Sequence, residues 1–74
     1  MTPMNAEQLE SIARRRYYTG GELLVVDPQT RIVRPRNIVD PHGVCAIRVN
    51  ADGTITEGWW CQVPGRVGFR PLVP

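Results

Sequence analysis

Between Asn5 and Tyr17 the apolar residues Leu9, Ile12, Ala13 and Tyr17 recur at helical spacing, with Glu7, Gln8, Glu10, Ser11, Arg14 and Arg15 between them. One apolar stripe on an otherwise polar segment predicts an amphipathic helix lying on a core. Asn5 followed three residues later by Gln8 matches a capping box, in which the two side chains satisfy backbone donors that the first turn leaves without partners. Glu7 and Glu10 stand near the positive end of the helix dipole, and Arg14, Arg15 and Arg16 near the negative end. Gly20 and Gly21 offer the left-handed conformation that closes a last turn, which places the helix at about residues 5–18.

Past Glu22 the period changes. Runs rich in β-branched residues, at 22–27, 31–34, 37–40, 43–50, 54–63 and 66–72, alternate with turn residues and read as strands. The segment Asp27, Pro28, Gln29, Thr30 suits a type I turn. Asn50, Ala51, Asp52, Gly53 suits a hairpin with glycine at its left-handed place, and Pro64-Gly65 suits a type II turn. Pro35 and Pro41 interrupt the middle, so residues 36–40 read as an edge strand or a loop. The pattern predicts a single α+β domain over residues 1–74: an N-terminal helix packed on a twisted antiparallel sheet of four to five strands, formed by hairpins over about 22–72, whose twist would curl it towards a small barrel. Strand order beyond the hairpins stays open, and proline at 71 and 74 favours a docked tail over a strand for residues 70–74.

The third hairpin carries most of the functional information. If Asn50 and Thr54 close a three-residue loop, Ile47 faces Glu57, Cys45 faces Trp59 and Val44 faces Trp60. One face then carries Cys45, Ile47, Val49, Ile55, Trp59 and Cys61 and makes the better core, with Glu57 at a rim or displaced by a bulge at Gly58. Continuing through Pro64-Gly65 sets Trp60 against Phe69 and Gln62 against Val67. Val44, Trp60, Val67 and Phe69 thereby gather on the face that Arg48, Thr54 and Thr56 mark as wet, with Arg48, Arg66 and Arg70 around them. A solvent-facing aromatic patch rimmed by arginine has the composition of a protein-binding site. In the competing arrangement the helix stripe covers this face. Neighbouring strand residues point to opposite sides, so Trp59 and Trp60 cannot be buried in the same way.

Composition narrows the classes. Seventy-four residues with 42% hydrophobic and 22% charged make one folded domain with little room for an enclosed pocket. All nine basic residues are arginine, which suits bidentate contacts and ring stacking, while a net charge of +2 is low for a dedicated nucleic-acid binder. MTPMNAEQLE lacks the basic and apolar regions of a secretory signal, and no run approaches a membrane span, so a cytoplasmic protein with reduced thiols is expected.

Candidate chemistry is sparse. His42, Cys45, Cys61 and Asp40 are ligand types, but the close ligand pairs of a structural zinc site are missing, and the cysteines read better as small buried thiols beside Trp59. Their diagonal placement is awkward for a disulfide. His42 could in principle activate Cys45, yet no phosphate loop, nucleophile elbow or metal pair accompanies them, so no catalytic residue, metal or cofactor is assigned and the chain is expected not to be an enzyme. The leading expectation is a non-enzymatic protein-interaction module, an inhibitor or adaptor, that uses Trp60, Phe69, Val67, Val44, Arg48, Arg66 and Arg70 on a protein partner of unknown identity. The alternative is a nucleic-acid-binding domain using Arg14, Arg15, Arg16, Tyr17 and Tyr18. Self-association through the apolar face or an open strand edge, giving a homo-oligomer, is a third possibility.

Overall fold

The computed structural model describes residues 4–73. Helix α1 (Ala6–Arg16) is followed by β1 (Leu24–Asp27), β2 (Ile32–Pro35), β3 (Val44–Val49), β4 (Ile55–Cys61) and β5 (Gly68–Pro71). The strands form one antiparallel sheet in the order β1-β2-β3-β4-β5, an α+β architecture in which each strand pairs with the next in sequence. The sheet is open. The expected curl towards a barrel does not occur, because closure would need β1 to bond β5, whereas α1 seals the β1–β3 end of one face and buries there the side chains a barrel would enclose. Among the described residues no helix is long and apolar enough to cross a membrane.

The capping box forms as read. The Gln8 backbone N–H donates to Asn5 Oδ1 at 2.8 Å, and the Asn5 N–H donates to Gln8 Oε1 at 2.9 Å. The helix ends at Arg16, however, four residues ahead of Gly20. On a continued helix Tyr18 would stand off the stripe of Leu9 and Ala13. The chain instead unwinds, both the Tyr17 and Tyr18 N–H groups donate to the Ala13 carbonyl (2.9 and 2.8 Å), and the Tyr18 ring enters the core. That core joins Leu9, Ala13 and Tyr18 to Leu24, Val33, Ile47 and Val49, with Met4, Ile12, Tyr17, Val26 and Ile55 packed around them.

Alternation along the strands, transmitted by the pairs Val26↔Val33, Val33↔Ile47, Ile47↔Glu57 and Val49↔Ile55, puts these strand residues on the helix side. The register of the third hairpin is as expected, including Cys45↔Trp59 and Val44↔Trp60, and so is Trp60↔Phe69 in the last one. Asn50 and Thr54 close a loop in which Gly53 has φ 87°, and the Arg66 N–H donates to Val63 O across a turn in which Gly65 has φ 83°. The first hairpin loop is one residue longer than a type I turn over 27–30. Arg31, not a glycine, takes the left-handed position (φ 62°) and is held there by Val49, whose N–H donates to Arg31 O while its carbonyl accepts from Arg31 Nε.

Two further expectations are corrected. Residues 37–40 form no strand: Asp40 Oδ1 accepts from the His42 N–H, and the Gln62 N–H ties Pro41 O to the end of β4. Residues 70 and 71 are strand rather than tail, because the ladder continues through Trp59↔Arg70 and Gly58↔Pro71 and the Leu72 N–H donates to Glu57 O, while Pro74 lies outside the described residues.

Candidate interaction surface

Opposite α1, the sheet face carries Val25, Asp27, Ile32, Arg34, Val44, Ala46, Arg48, Thr56, Gly58, Trp60 and Phe69, and among the described residues no helix covers it. The helix therefore does not take the competing position. Two guanidinium groups lie over aromatic rings here: Arg34 over Trp60 at 5.0 Å and Arg48 over Phe69 at 5.8 Å from the ring centroids. Each arginine reaches past an intervening strand, β3 in the first pair and β4 in the second. The second reach is possible because Gly58 has no side chain, so the Phe69 ring lies over it; a Cβ there would meet ring atoms at 2.5 and 2.7 Å. Trp60 is half-buried, and its indole N–H donates to Gln62 Oε1 at 2.6 Å. A shallow hollow of about 150 Å³ opens between Val25, Asp27, Ile32, Arg34 and Trp60, with Asp27 the one carboxylate in its lining.

Of the expected contact residues, Val44, Arg48, Trp60 and Phe69 come together on this face. Val67 does not belong to the ladder: it precedes β5, is 54% exposed, and is followed by Gly68, whose φ of 153° departs from ordinary strand geometry. Arg66 and Arg70 stand elsewhere. Arg70 is the cross-strand partner of Trp59, so it lies on the helix side, where it lines a groove with Arg66 and Trp59. Arg34 was missed, although its position in a strand beside Val33 already placed it opposite the core.

Trp59 was expected in the core and is 45% exposed instead. Its side of the sheet is the helix side, but α1 packs chiefly on β1, β2 and β3, and beyond Ile55 it leaves the β4–β5 part of that face open. The same geometry corrects the expectation of buried thiols, since Cys45 is exposed and Cys61 half-buried, both reduced and diagonal across the pair that Trp59 makes. Glu57 sits exposed at the rim, and the ladder passes straight through Ala46↔Gly58 without a bulge. His42 is exposed, and among the described residues no three His, Cys, Asp or Glu side chains come close enough to share a metal ion.

The basic-aromatic cluster at the helix end is dispersed. Arg14 pairs with Glu10 at 2.9 Å and donates to the Glu22 carbonyl, Arg16 reaches the Gly53 carbonyl, and Tyr17 is half-buried. Tyr18 is 5% exposed and donates its hydroxyl to Cys45 O at 2.8 Å, so its ring is not available to stack on a base. Burial pushes the Tyr18 phenol far above its ordinary value, with the neighbouring Tyr17 adding to the shift, and Tyr17 is raised by burial and by Cys45.

Comparison with family models, curated proteins and solved structures finds no match for the chain.

Proposed function

We propose that this chain is a non-catalytic protein-interaction module, an inhibitor or adaptor, whose helix-free sheet face docks on a partner surface that presents carboxylates among apolar side chains. The observation that carries this reading is the paired stacking of Arg34 on Trp60 and Arg48 on Phe69. Stacking orients each guanidinium, and beyond one donor each, Arg34 Nη1 to Pro35 O at 3.3 Å and Arg48 Nε to Asn50 Oδ1 at 3.4 Å, their remaining N–H groups have no partner among the described residues. Among the described residues the charge pair is Arg14 with Glu10, so neither stacked arginine has a carboxylate of its own. Aromatic rings with arginine are the combination that dominates binding energy in protein interfaces, and a bidentate carboxylate is the ligand that completes the arginine fork.

The test is capture of the partner from the native cell followed by affinity measurement with the purified pair. Trp60→Ala and Arg34→Gln should each weaken binding by about tenfold or more, on the order of 1.4 kcal/mol, at an unchanged urea midpoint. Retained affinity in both variants sinks the reading, and so does unfolding of Trp60→Ala, which would make Trp60 a core residue. A captured nucleic acid whose binding falls steeply with salt would overturn it in favour of the Arg14, Arg15, Arg16 and Tyr17 surface. Light scattering that shows concentration-dependent association abolished by Trp60→Ala would instead make a second copy the occupant.

A further inference from the structure

On the opposite side of the sheet, beyond the end of α1, a groove of about 440 Å³ is lined by His42, Trp59, Cys61, Val63, Arg66 and Arg70 together with Gly43. Its volume falls within the range of small-molecule sites, which runs from about 300 to 1,000 Å³. The floor and walls supply apolar surface through Trp59 and Val63. The charged groups in it are both arginine, and no Asp or Glu lines it. Three separate elements place the lining: direct pairing with Trp59 on β4 sets Arg70, the turn closed by the Arg66 N–H on Val63 O sets Arg66 and Val63, and the Asp40 turn sets His42. Among the described residues no hydrogen bond or ion pair occupies the Arg66 or Arg70 guanidinium.

We propose that this groove binds a carboxylate carried on an apolar body, with the body against Trp59 and Val63 and the carboxylate between Arg66 and Arg70. A planar anion matches the guanidinium fork, and the indole supplies the ring face that an apolar body needs beside it. The same chemistry can come from a free small carboxylic acid or from the carboxyl terminus of a peptide ending in an apolar residue. This site is separate from the Arg34–Trp60 face, so each can fail alone.

Trp60→Phe leaves Trp59 as the one indole in the chain, and its emission can be titrated with phenylacetate, with a hexapeptide ending in leucine with a free carboxyl, and with the same peptide amidated. A saturable change with phenylacetate, with the free peptide or with both supports the site and assigns the source. Arg66→Gln and Arg70→Gln should then each weaken binding about tenfold without moving the urea midpoint. The Trp59 indole N–H resonance of the unaltered chain gives the same titration without the background substitution. The proposal is overturned if neither carboxylate binds, if the amidated peptide binds as well as the free one, if inorganic phosphate competes as tightly as the carboxylates, or if both glutamine variants keep full affinity.

Discussion

Gly58 shows how much of this surface depends on one missing side chain. It is buried in the middle of β4, opposite Ala46, and the Phe69 ring occupies the space its Cβ would take. The Arg70 carbonyl crowds the same space, so an added methyl group meets backbone as well as a ring and cannot be accommodated by a side-chain shift alone. Gly58→Ala is expected to cost about 1–3 kcal/mol in urea unfolding, and to displace Phe69 from beneath Arg48. An unchanged urea midpoint would mean that the ring does not rest on Gly58. Sequence pattern reads an interior strand glycine either as a bulge or as a site of close approach, and of the two readings open for this hairpin, Glu57 at a rim or a bulge at Gly58, the structure takes the rim. Only the ring, eleven residues away in sequence and one strand away in space, decides between them.

Between elements, the informative seam runs where β2 meets β3. β2 is an interior strand that ends in Pro35, and its paired register with β3 covers Ile32↔Arg48 and Val33↔Ile47. The Val49 N–H donates to Arg31 O, so by alternation the main-chain groups of Ile47 and Cys45 also point towards β2, and Cys45 O would meet Pro35, which has no N–H to offer. The Tyr18 hydroxyl fills that vacancy at 2.8 Å. This demand, together with core space, explains why the helix stops short of the glycines. Tyr18→Phe keeps the ring and removes the donor, and is expected to destabilise the domain by about 1–3 kcal/mol in urea, the range for a buried acceptor left unsatisfied. A loss below a few tenths would show that water takes over the carbonyl. The hairpin registers were legible because Gly53 and Gly65 occupy left-handed turn positions that fix loop length, and period-2 alternation then propagates the pairing. The helix end was not legible, since it answers a proline seventeen residues further along the chain. At the far edge the Leu72 N–H points to Glu57, so alternation turns Phe69 and Pro71 outward, and Pro71 withholds a donor from any strand that would add there.

For the molecule as a whole, geometry explains why Trp59 is exposed and Trp60 only half-buried, with neither indole in the core. A helix of eleven residues is about 16 Å long and about 10 Å wide, whereas five strands span about 19 Å, so α1 covers roughly half of one face. Strand alternation told which residues share a side, but not where along the sheet the helix would lie, and that offset is what exposes Trp59. The same packing makes the fold sensitive to alkali. Tyr18, buried and held in its protonated form as the donor to Cys45 O, titrates well above the ordinary tyrosine value of about 10, and Tyr17 is shifted in the same direction. A raised folded-state value means that the native chain holds protons which the unfolded chain releases. The contribution of Tyr18 is therefore complete below about pH 10 and declines as pH rises towards the folded value, at up to about 1.4 kcal/mol per pH unit, with half-buried Tyr17 adding in the same direction. No lysine titration overlaps this window, because every basic side chain is arginine. Urea midpoints measured at pH 8, 10 and 11 should fall across the last interval (values chosen to bracket the ordinary tyrosine value of about 10), and Tyr18→Phe, already less stable at pH 8, should lose less over that interval than the unaltered chain. Equal losses in the two proteins would place the alkaline sensitivity elsewhere and remove the buried Tyr18 hydroxyl from the account of the core.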